Sequence, residues 1–114
     1  MKAQEQAEVM HSLAFILETS PFAKDIDWMN DSNPTSLSLR INYPYGYYGL
    51  LTIEFVGRSS TILYTITVFK TISFDDKTQL VKEVSNQYNY KSNKSIEHLG
   101  EKIFGIVHEA KFYI

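Results

Sequence analysis

Two stretches of the chain alternate apolar and polar residues with a period of two, and this alternation constrains the fold more than any other feature. In residues 36 to 43 the apolar positions hold Leu37, Leu39, Ile41 and Tyr43, and in residues 60 to 69 they hold Ile62, Tyr64, Ile66 and Val68. A period of two is that of a β-strand with one buried face. Residues 50 to 56 repeat the pattern after a turn, so the sequence predicts an antiparallel meander of three strands, with a fourth strand in residues 25 to 29 left open.

Helical spacing flanks these strands on both sides. Residues 3 to 19 place Met10, Leu13, Ala14 and Leu17 on one stripe, which ends at Ser20 and Pro21. Residues 73 to 76 are typical of a helical capping box, and a second helix is predicted after them from the stripe Leu80, Val81, Val84 and Tyr88. The predicted fold class is therefore α+β: a two-layer sandwich with an N-terminal helix, a meander of three or four strands and two C-terminal helices.

The last of these helices is predicted to start near Ile96 and to run to the C-terminus. The chain ends on Phe112, Tyr113 and Ile114, which we expect to pack against the core, because they would otherwise form an exposed apolar patch. A length of 114 residues suits one hydrophobic core, so residues 1 to 114 are predicted to form a single domain.

The residue inventory disfavours an enzyme. The chain has no cysteine, which removes thiolate metal sites and cysteine nucleophiles, and its five glycines are too scattered for a phosphate-binding loop. Glu8 with His11, and His98 with Glu101, are three residues apart on predicted helices, a spacing that can hold a metal but is common in surface pairs. We expect no catalytic residue, no metal and no cofactor.

Four tyrosines lie within six residues, in the predicted hairpin that joins the first two strands. Strand alternation places Tyr43 with the core, whereas Tyr45, Tyr47 and Tyr48 lie beyond it. The glycines among them permit sharp turns, so at least one of these three rings is expected to face solvent. Because tyrosine gives a large, stiff contact area, the three are candidate partner-binding residues. The alternative is that their rings cover the open end of the core.

The distribution of charge adds further residues to the candidate partner-binding set. The net charge is −2, with three basic and seven acidic side chains in residues 1 to 57 against eight and six in residues 58 to 114. Arg40 and Arg58 are the basic residues nearest to the tyrosines in sequence, so nucleic acid is disfavoured as a partner. The candidate partner-binding residues therefore also include Arg58, and Glu5 and Glu8 on the solvent-facing side of the first helix.

These features favour a non-enzymatic protein-binding module. Many Ile, Lys, Asn and Tyr residues are typical of AT-rich genes such as those of mobile elements. By analogy alone, the composition fits a stoichiometric inhibitor, such as a toxin-immunity protein, an antitoxin or a phage counter-defence protein, that masks a basic cleft on a toxin or nuclease. The alternatives are a nucleic-acid or small-ligand binding domain and a secretion-type chaperone, and a homodimer stays open.

The N-terminal residues indicate the compartment. Glu5 and Glu8 occupy positions where a secretory signal needs an apolar segment, and no apolar run approaches the length of a membrane span. We therefore expect a cytoplasmic protein with no membrane partner.

Overall fold

The computed structural model describes residues 1–29, 33–72 and 77–114, with all of their side chains except those of Lys77 and Tyr113. The elements follow in the order α1 (Ala3–Glu18), β1 (Ile26–Trp28), β2 (Ser36–Asn42), β3 (Tyr47–Phe55), β4 (Thr61–Ile72), β5 (Lys77–Asn89) and α2 (Ile96–Ala110). Short 3-10 turns precede β1 and follow α2. The predicted α+β class, with an N-terminal helix, an antiparallel sheet and a C-terminal helix, is confirmed.

The described strands form one antiparallel sheet whose spatial order is the chain order, from β1 at one edge to β5 at the other. Leu51 on β3 pairs with Leu39 on β2 and with Ile66 on β4, so the predicted apolar alternation aligns across neighbouring strands. Strands β4 and β5 are longer than β3, with 12 and 13 residues against nine. The described part of the molecule is accordingly elongated, at 47 × 24 × 22 Å.

The prediction of a helix through Leu80 and Val84 is wrong, because this stretch belongs to strand β5. Val84 pairs with Ile66 on the helix-covered face, whereas Leu80 pairs with Phe69 on the opposite face. A β-bulge separates the two pairs and leaves Val81 as an extra residue in the ladder. An extra residue reverses the inward and outward alternation, so the apolar residues of β5 have a helix-like spacing although they lie on a strand.

The strand count is also higher than predicted. The described residues hold five strands where three or four were expected, because both β1 and β5 join the sheet. The capping box assigned to residues 73 to 76 lies outside the described residues. The last predicted helix is confirmed as α2, although it ends at Ala110 and does not run to the C-terminus as predicted. It begins after Ser95, and the side chain of Ser95 accepts a hydrogen bond from the His98 N–H (3.1 Å).

Both helices pack against one face of the sheet, and the core lies between the two layers. The fully buried side chains include Leu13 and Leu17 from α1, Leu39, Ile53 and Ile66 from the sheet, and Leu99 and Ile103 from α2. Gly49 makes room for this packing, since a β-carbon there would stand 3.1 Å from the Tyr43 ring and 3.2 Å from Ile66. We term the other face of the sheet, which carries alternate residues such as Arg40, Tyr48 and Phe69, the open face.

The three C-terminal residues were expected to pack against the core, and the outcome differs among them, while the side chain of Tyr113 lies outside the described part of the chain. Phe112 is 79% exposed, so its predicted burial is wrong, and its ring meets His108 edge-on instead of the core. Ile114 does pack against the core. The helical stripe ends at the buried Ala110, and the 3-10 turn that follows carries Phe112 to the outer side. Neither helix in the described ranges is long and apolar enough to cross a membrane.

Candidate functional site

Residues 44–47 reverse the chain between β2 and β3 in a turn that we term the tyrosine turn. The Tyr47 N–H donates to the Pro44 carbonyl (3.3 Å), and both central residues have positive φ, 63° at Tyr45 and 79° at Gly46. Two left-handed central residues are typical of a type I′ turn, whose twist matches that of a hairpin. The Thr71 N–H on β4 donates to the Gly46 carbonyl (3.0 Å), which fixes the turn to the neighbouring strand.

Tyr45 lies at the tip of this turn, and its side chain is 86% exposed. In the described part of the chain it is the one residue other than glycine with a positive φ. Asn, Asp and Gly normally occupy this position, because the left-handed conformation costs a residue with a β-carbon roughly 1–2 kcal/mol. Burial of the Tyr45 ring does not offset this strain.

Tyr47 and Tyr48 lie on opposite faces of the sheet, as neighbours on a strand do. Tyr47 is half-buried on the helix side, with the Lys70 Nζ atom 5.4 Å from its ring centroid. Tyr48 lies on the open face, where the guanidinium carbon of Arg40 is 4.1 Å from its ring centroid. The three candidate tyrosines therefore surround one end of the sheet, at the tip, on the helix side and on the open side.

A row of side-chain contacts crosses the open face next to this end. Asn42 Nδ2 donates to Asp27 Oδ2 on β1 (2.7 Å), and Arg40 Nε donates to Asn42 Oδ1 (3.1 Å). These hydrogen bonds orient the Arg40 guanidinium over the Tyr48 ring in a cation–π contact. Arg40 is thus held from one side by polar groups and from the other by an aromatic ring.

The row continues toward β5 through apolar groups. Tyr48 stacks on Phe69 with a centroid distance of 5.3 Å and an interplanar angle of 24°. The register places Leu80 beside Phe69, and Leu80 is 57% exposed. Leu50 and Leu63, half-buried on the same face, widen the apolar strip. An apolar strip on a face that neither described helix covers is a candidate contact surface.

Acidic side chains border this strip. Asp27, Glu54 and Glu83 lie on the open face, and Arg40 is its one basic side chain among the described residues. The face therefore has an acidic border around an apolar and aromatic centre.

Arg58 lies at the other end of β3, in the turn to β4. Its Nη1 donates to Gln6 Oε1 (3.2 Å), and Gln6 Nε2 donates to the carbonyls of Gly57 (2.9 Å) and Ser59 (3.0 Å). Gln6 is fully buried, so it fixes this turn to α1. The length of β3 separates Arg58 from Tyr45 by roughly 30 Å, at about 3.3 Å per residue. The structure does not bring Arg58 together with the tyrosines.

Glu5 and Glu8 also lie at the Arg58 end. They line an open groove in which α1 forms one wall, with Glu5, Glu8 and Ser12, and the loop after β5 forms the other, with Lys91 and Lys94. The candidate residues from the sequence thus fall into two groups: three tyrosines at one end of the sheet, and Arg58, Glu5 and Glu8 at the other.

The buried tyrosines have structural roles. The Tyr43 hydroxyl donates to the Val107 carbonyl of α2 (2.8 Å), and burial raises the pKa of Tyr43 far above its usual range. The Tyr88 hydroxyl lies 3.2 Å from the Ser95 carbonyl and 3.2 Å from His98 Nδ1, and burial raises its pKa as well. Both phenols are held protonated and connect α2, or the loop before it, to the sheet.

No metal site is evident in residues 1–29, 33–72 and 77–114, which contain no group of three His, Asp or Glu side chains that could hold an ion. His98, a metal candidate in the sequence, contacts Asn93 (2.6 Å between the side-chain nitrogens) and Tyr88 instead. The absence of catalysis stays a prediction. Comparisons of the chain with protein-family models, with curated proteins and with solved structures found no match.

Proposed function

We propose that the protein is a non-enzymatic protein-binding module that acts as a stoichiometric inhibitor, in the functional class of toxin-immunity proteins, antitoxins and phage counter-defence proteins. The proposed contact surface is the tyrosine turn together with the adjoining row on the open face. One observation carries the proposal: Tyr45 is an exposed aromatic residue in a strained backbone conformation.

The energetic balance at Tyr45 supports a role in binding. The left-handed backbone costs roughly 1–2 kcal/mol, and strain of this kind is concentrated at functional sites. In the free protein the exposed ring returns little of that energy. A tyrosine buried at the centre of an interface contributes about 2 kcal/mol or more, which exceeds the cost of the strain. The residue is therefore favourable once a partner covers it.

The groups around Tyr45 are already ordered before a partner arrives. A hydrogen bond from Thr71 fixes the turn, and Tyr48 lies between Arg40 and Phe69. Side chains that are fixed in advance lose little conformational entropy on association. This surface therefore suits a tight, one-to-one contact.

The charge on the open face favours a basic protein as the partner. Asp27, Glu54 and Glu83 border the apolar strip and would face lysine and arginine side chains on the other molecule. A catalytic cleft that binds phosphates carries such basic residues, which is why a toxin or a nuclease is the proposed target class.

Binding of single-stranded nucleic acid is a second candidate, favoured by one observation. Arg40, Tyr48 and Phe69 form a stacked platform of the kind on which bases stack. The surrounding carboxylates oppose it, since they repel phosphates. Fluorescence anisotropy with labelled single-stranded oligonucleotides at low salt tests it. Saturable binding that Tyr48→Ala removes, and that Tyr45→Asn leaves unchanged, would favour this function over the proposed one.

The proposed function is tested with three immobilised baits: the wild-type chain, Tyr45→Asn and the control Phe15→Ala. Phe15 is 65% exposed on α1, in the layer opposite the open face, so it is a matched exposed aromatic. In a lysate of the native host, wild type and Phe15→Ala should capture one partner in a one-to-one ratio, and Tyr45→Asn should lose it. One equivalent of the chain should then inhibit the captured toxin or nuclease.

Stability separates binding from folding in this experiment. Asparagine tolerates positive φ, so Tyr45→Asn should fold at least as stably as the wild type, by thermal unfolding. Equal capture by Tyr45→Asn and wild type would contradict a contact at the tyrosine turn. A Glu5→Lys, Glu8→Lys double variant would then test the acidic wall of the groove beside α1.

A further inference from the structure

Strand β5 is one edge of the sheet, and no described strand pairs with its outer side. It is 13 residues long, whereas native edge strands are usually short or protected by lysine, proline or a bulge. The bulge at Val81 and the neighbouring Lys82 protect its first half. Its second half, residues 83–89, has the sequence EVSNQYN, with neither lysine nor proline. Its one charged residue is Glu83, so this half of the edge is the less protected one.

Backbone hydrogen bonds define which residues of this half point outward. The Tyr90 N–H donates to the Ser60 carbonyl (2.9 Å), so Tyr90 and every second residue before it direct their backbone groups toward β4. The intervening residues Glu83, Ser85 and Gln87 therefore direct their N–H and C=O groups away from the sheet. Their side chains lie on the open face, opposite residues such as Thr65 and Thr67 of β4.

We propose that this edge pairs with the same edge of a second copy, so that two β5 strands run antiparallel about a two-fold axis at Ser85. In this register Ser85 faces Ser85 of the second copy, and Glu83 faces Gln87 of the second copy. The carboxylate acceptor thus meets an amide donor on the open face. The outward groups of the three residues in each copy form about six backbone hydrogen bonds.

Two alternative registers, with the axis moved by two residues in either direction, are less favourable. A shift of the axis to Glu83 places two carboxylates directly opposite each other, which is destabilising. A shift to Gln87 places Glu83 opposite Lys91, which lies beyond the end of β5 and whose N–H already donates to Asn89 Oδ1 (3.0 Å). With the axis at Ser85, the carboxylate of Glu83 therefore faces an amide of the second copy, and this self-complementarity favours a second copy over an unrelated strand as the occupant.

The dimer does not depend on the proposed function. A two-fold axis perpendicular to the sheet keeps both open faces on the same side, and it leaves both tyrosine turns uncovered. A dimer of this kind presents two copies of the contact surface in one direction, so a partner with two sites would bind by avidity.

Introduced cysteines test the register, because the chain has none of its own. In a hydrogen-bonded antiparallel pair the Cα atoms are about 5.5 Å apart, a distance that a disulfide spans. Ser85→Cys is close to isosteric and should join two chains on mild oxidation. Gln87→Cys should react at least about tenfold more slowly, since its two copies are about 14 Å apart in this register.

Light scattering tests the assembly itself. The wild type should have twice the chain mass of 13.2 kDa. Ser85→Lys places two ammonium groups at the axis, so its mass by light scattering should be that of one chain. Its circular dichroism spectrum should show that this chain is folded. Thr78→Lys, on the same strand and face but beyond the bulge, should stay dimeric. A single-chain mass for the wild type at every attainable concentration, crosslinking at Gln87 that matches or exceeds that at Ser85, or an unchanged dimer in Ser85→Lys would each overturn the proposal.

Discussion

Replacing Tyr43 with phenylalanine deletes one hydroxyl group, whose position in the structure predicts a loss of stability at neutral pH. The hydroxyl donates to the Val107 carbonyl at 2.8 Å, in a buried contact. Val107 belongs to the last turn of α2, where carbonyls have no partner along the helix, and the Lys111 N–H is directed to His108 and Glu109. A buried carbonyl that loses its donor costs about 1–3 kcal/mol, so Tyr43→Phe should lower the free energy of unfolding by that amount.

The same substitution should change the response to alkaline pH. Burial raises the pKa of Tyr43 above the value of about 10 that tyrosine has in an unfolded chain. The stabilisation is therefore complete below about pH 10 and is lost as pH rises, because the unfolded chain releases a proton that the folded chain keeps. Each pH unit above about 10 costs up to about 1.4 kcal/mol for this group. Tyr64 and Tyr88, whose pKa values burial also raises, add to the loss.

Urea unfolding followed by far-UV circular dichroism measures both effects, at about pH 7 and in steps from about pH 9.5 to 11.5. Tyr43→Phe should be less stable at neutral pH, yet its stability should fall less steeply in alkali, by up to about 1.4 kcal/mol per pH unit. Tyr45→Phe, which deletes an exposed hydroxyl, is the matched control and should alter neither quantity. Neutral stability equal to that of the wild type, or an unchanged alkaline slope, would refute the assignment of Tyr43 as a buried, neutral donor.

Gly49→Ala should destabilise the fold by about 1–3 kcal/mol through overpacking, because its β-carbon would stand 3.1 Å from the Tyr43 ring and 3.2 Å from the terminal methyl of Ile66. Adding Ile66→Val, which deletes that methyl, should recover part of the loss in thermal unfolding, and strictly additive effects would exclude this contact as the cause. Gln6→Leu keeps the buried volume but removes two hydrogen bonds to turn carbonyls, so we expect a loss of about 1–2 kcal/mol. The exposed control Gln4→Leu should melt with the wild type, and a Gln6→Leu variant that did the same would contradict the anchoring role of Gln6.

Uninterrupted periodicity made most of the fold predictable. Strands β2 and β4 alternate cleanly, and α1 and α2 each carry one apolar stripe, so their existence and type followed from the sequence. Strand β5 could not be predicted in this way, because the extra residue Val81 reverses the alternation and leaves Leu80 and Val84 at a helical spacing. The position of a bulge depends on how the strand pairs with its neighbour, and the local sequence does not specify that pairing.

The candidate site was predictable in part. The glycines near Tyr45 indicated that a tyrosine would face solvent. They did not indicate the positive φ of Tyr45, because a turn with one left-handed residue can place that residue at Gly46. The contact row on the open face depends on Asp27 of β1 and Leu80 of β5, from the strands that the sequence left open or assigned as helix. The sequence did contain one indication of the apolar strip: apolar residues such as Leu63 occupy strand positions that the alternation assigns to the face away from the core. The distance of Arg58 from the tyrosines, by contrast, follows from the strand predicted between the two turns.

Two hydrogen bonds that connect the helices to the sheet join residues far apart in the chain. The bond from Gln6 to Gly57 spans 51 residues, and the bond from Tyr43 to Val107 spans 64. During translation, α1 therefore emerges long before the turn that anchors it. The Tyr43 hydroxyl can donate to the Val107 carbonyl only after α2 has left the ribosome. Contacts of such long range slow folding. In that interval α2 does not yet cover its part of the apolar face, and the apolar side chains left exposed there are of the kind that promotes aggregation and that chaperones bind.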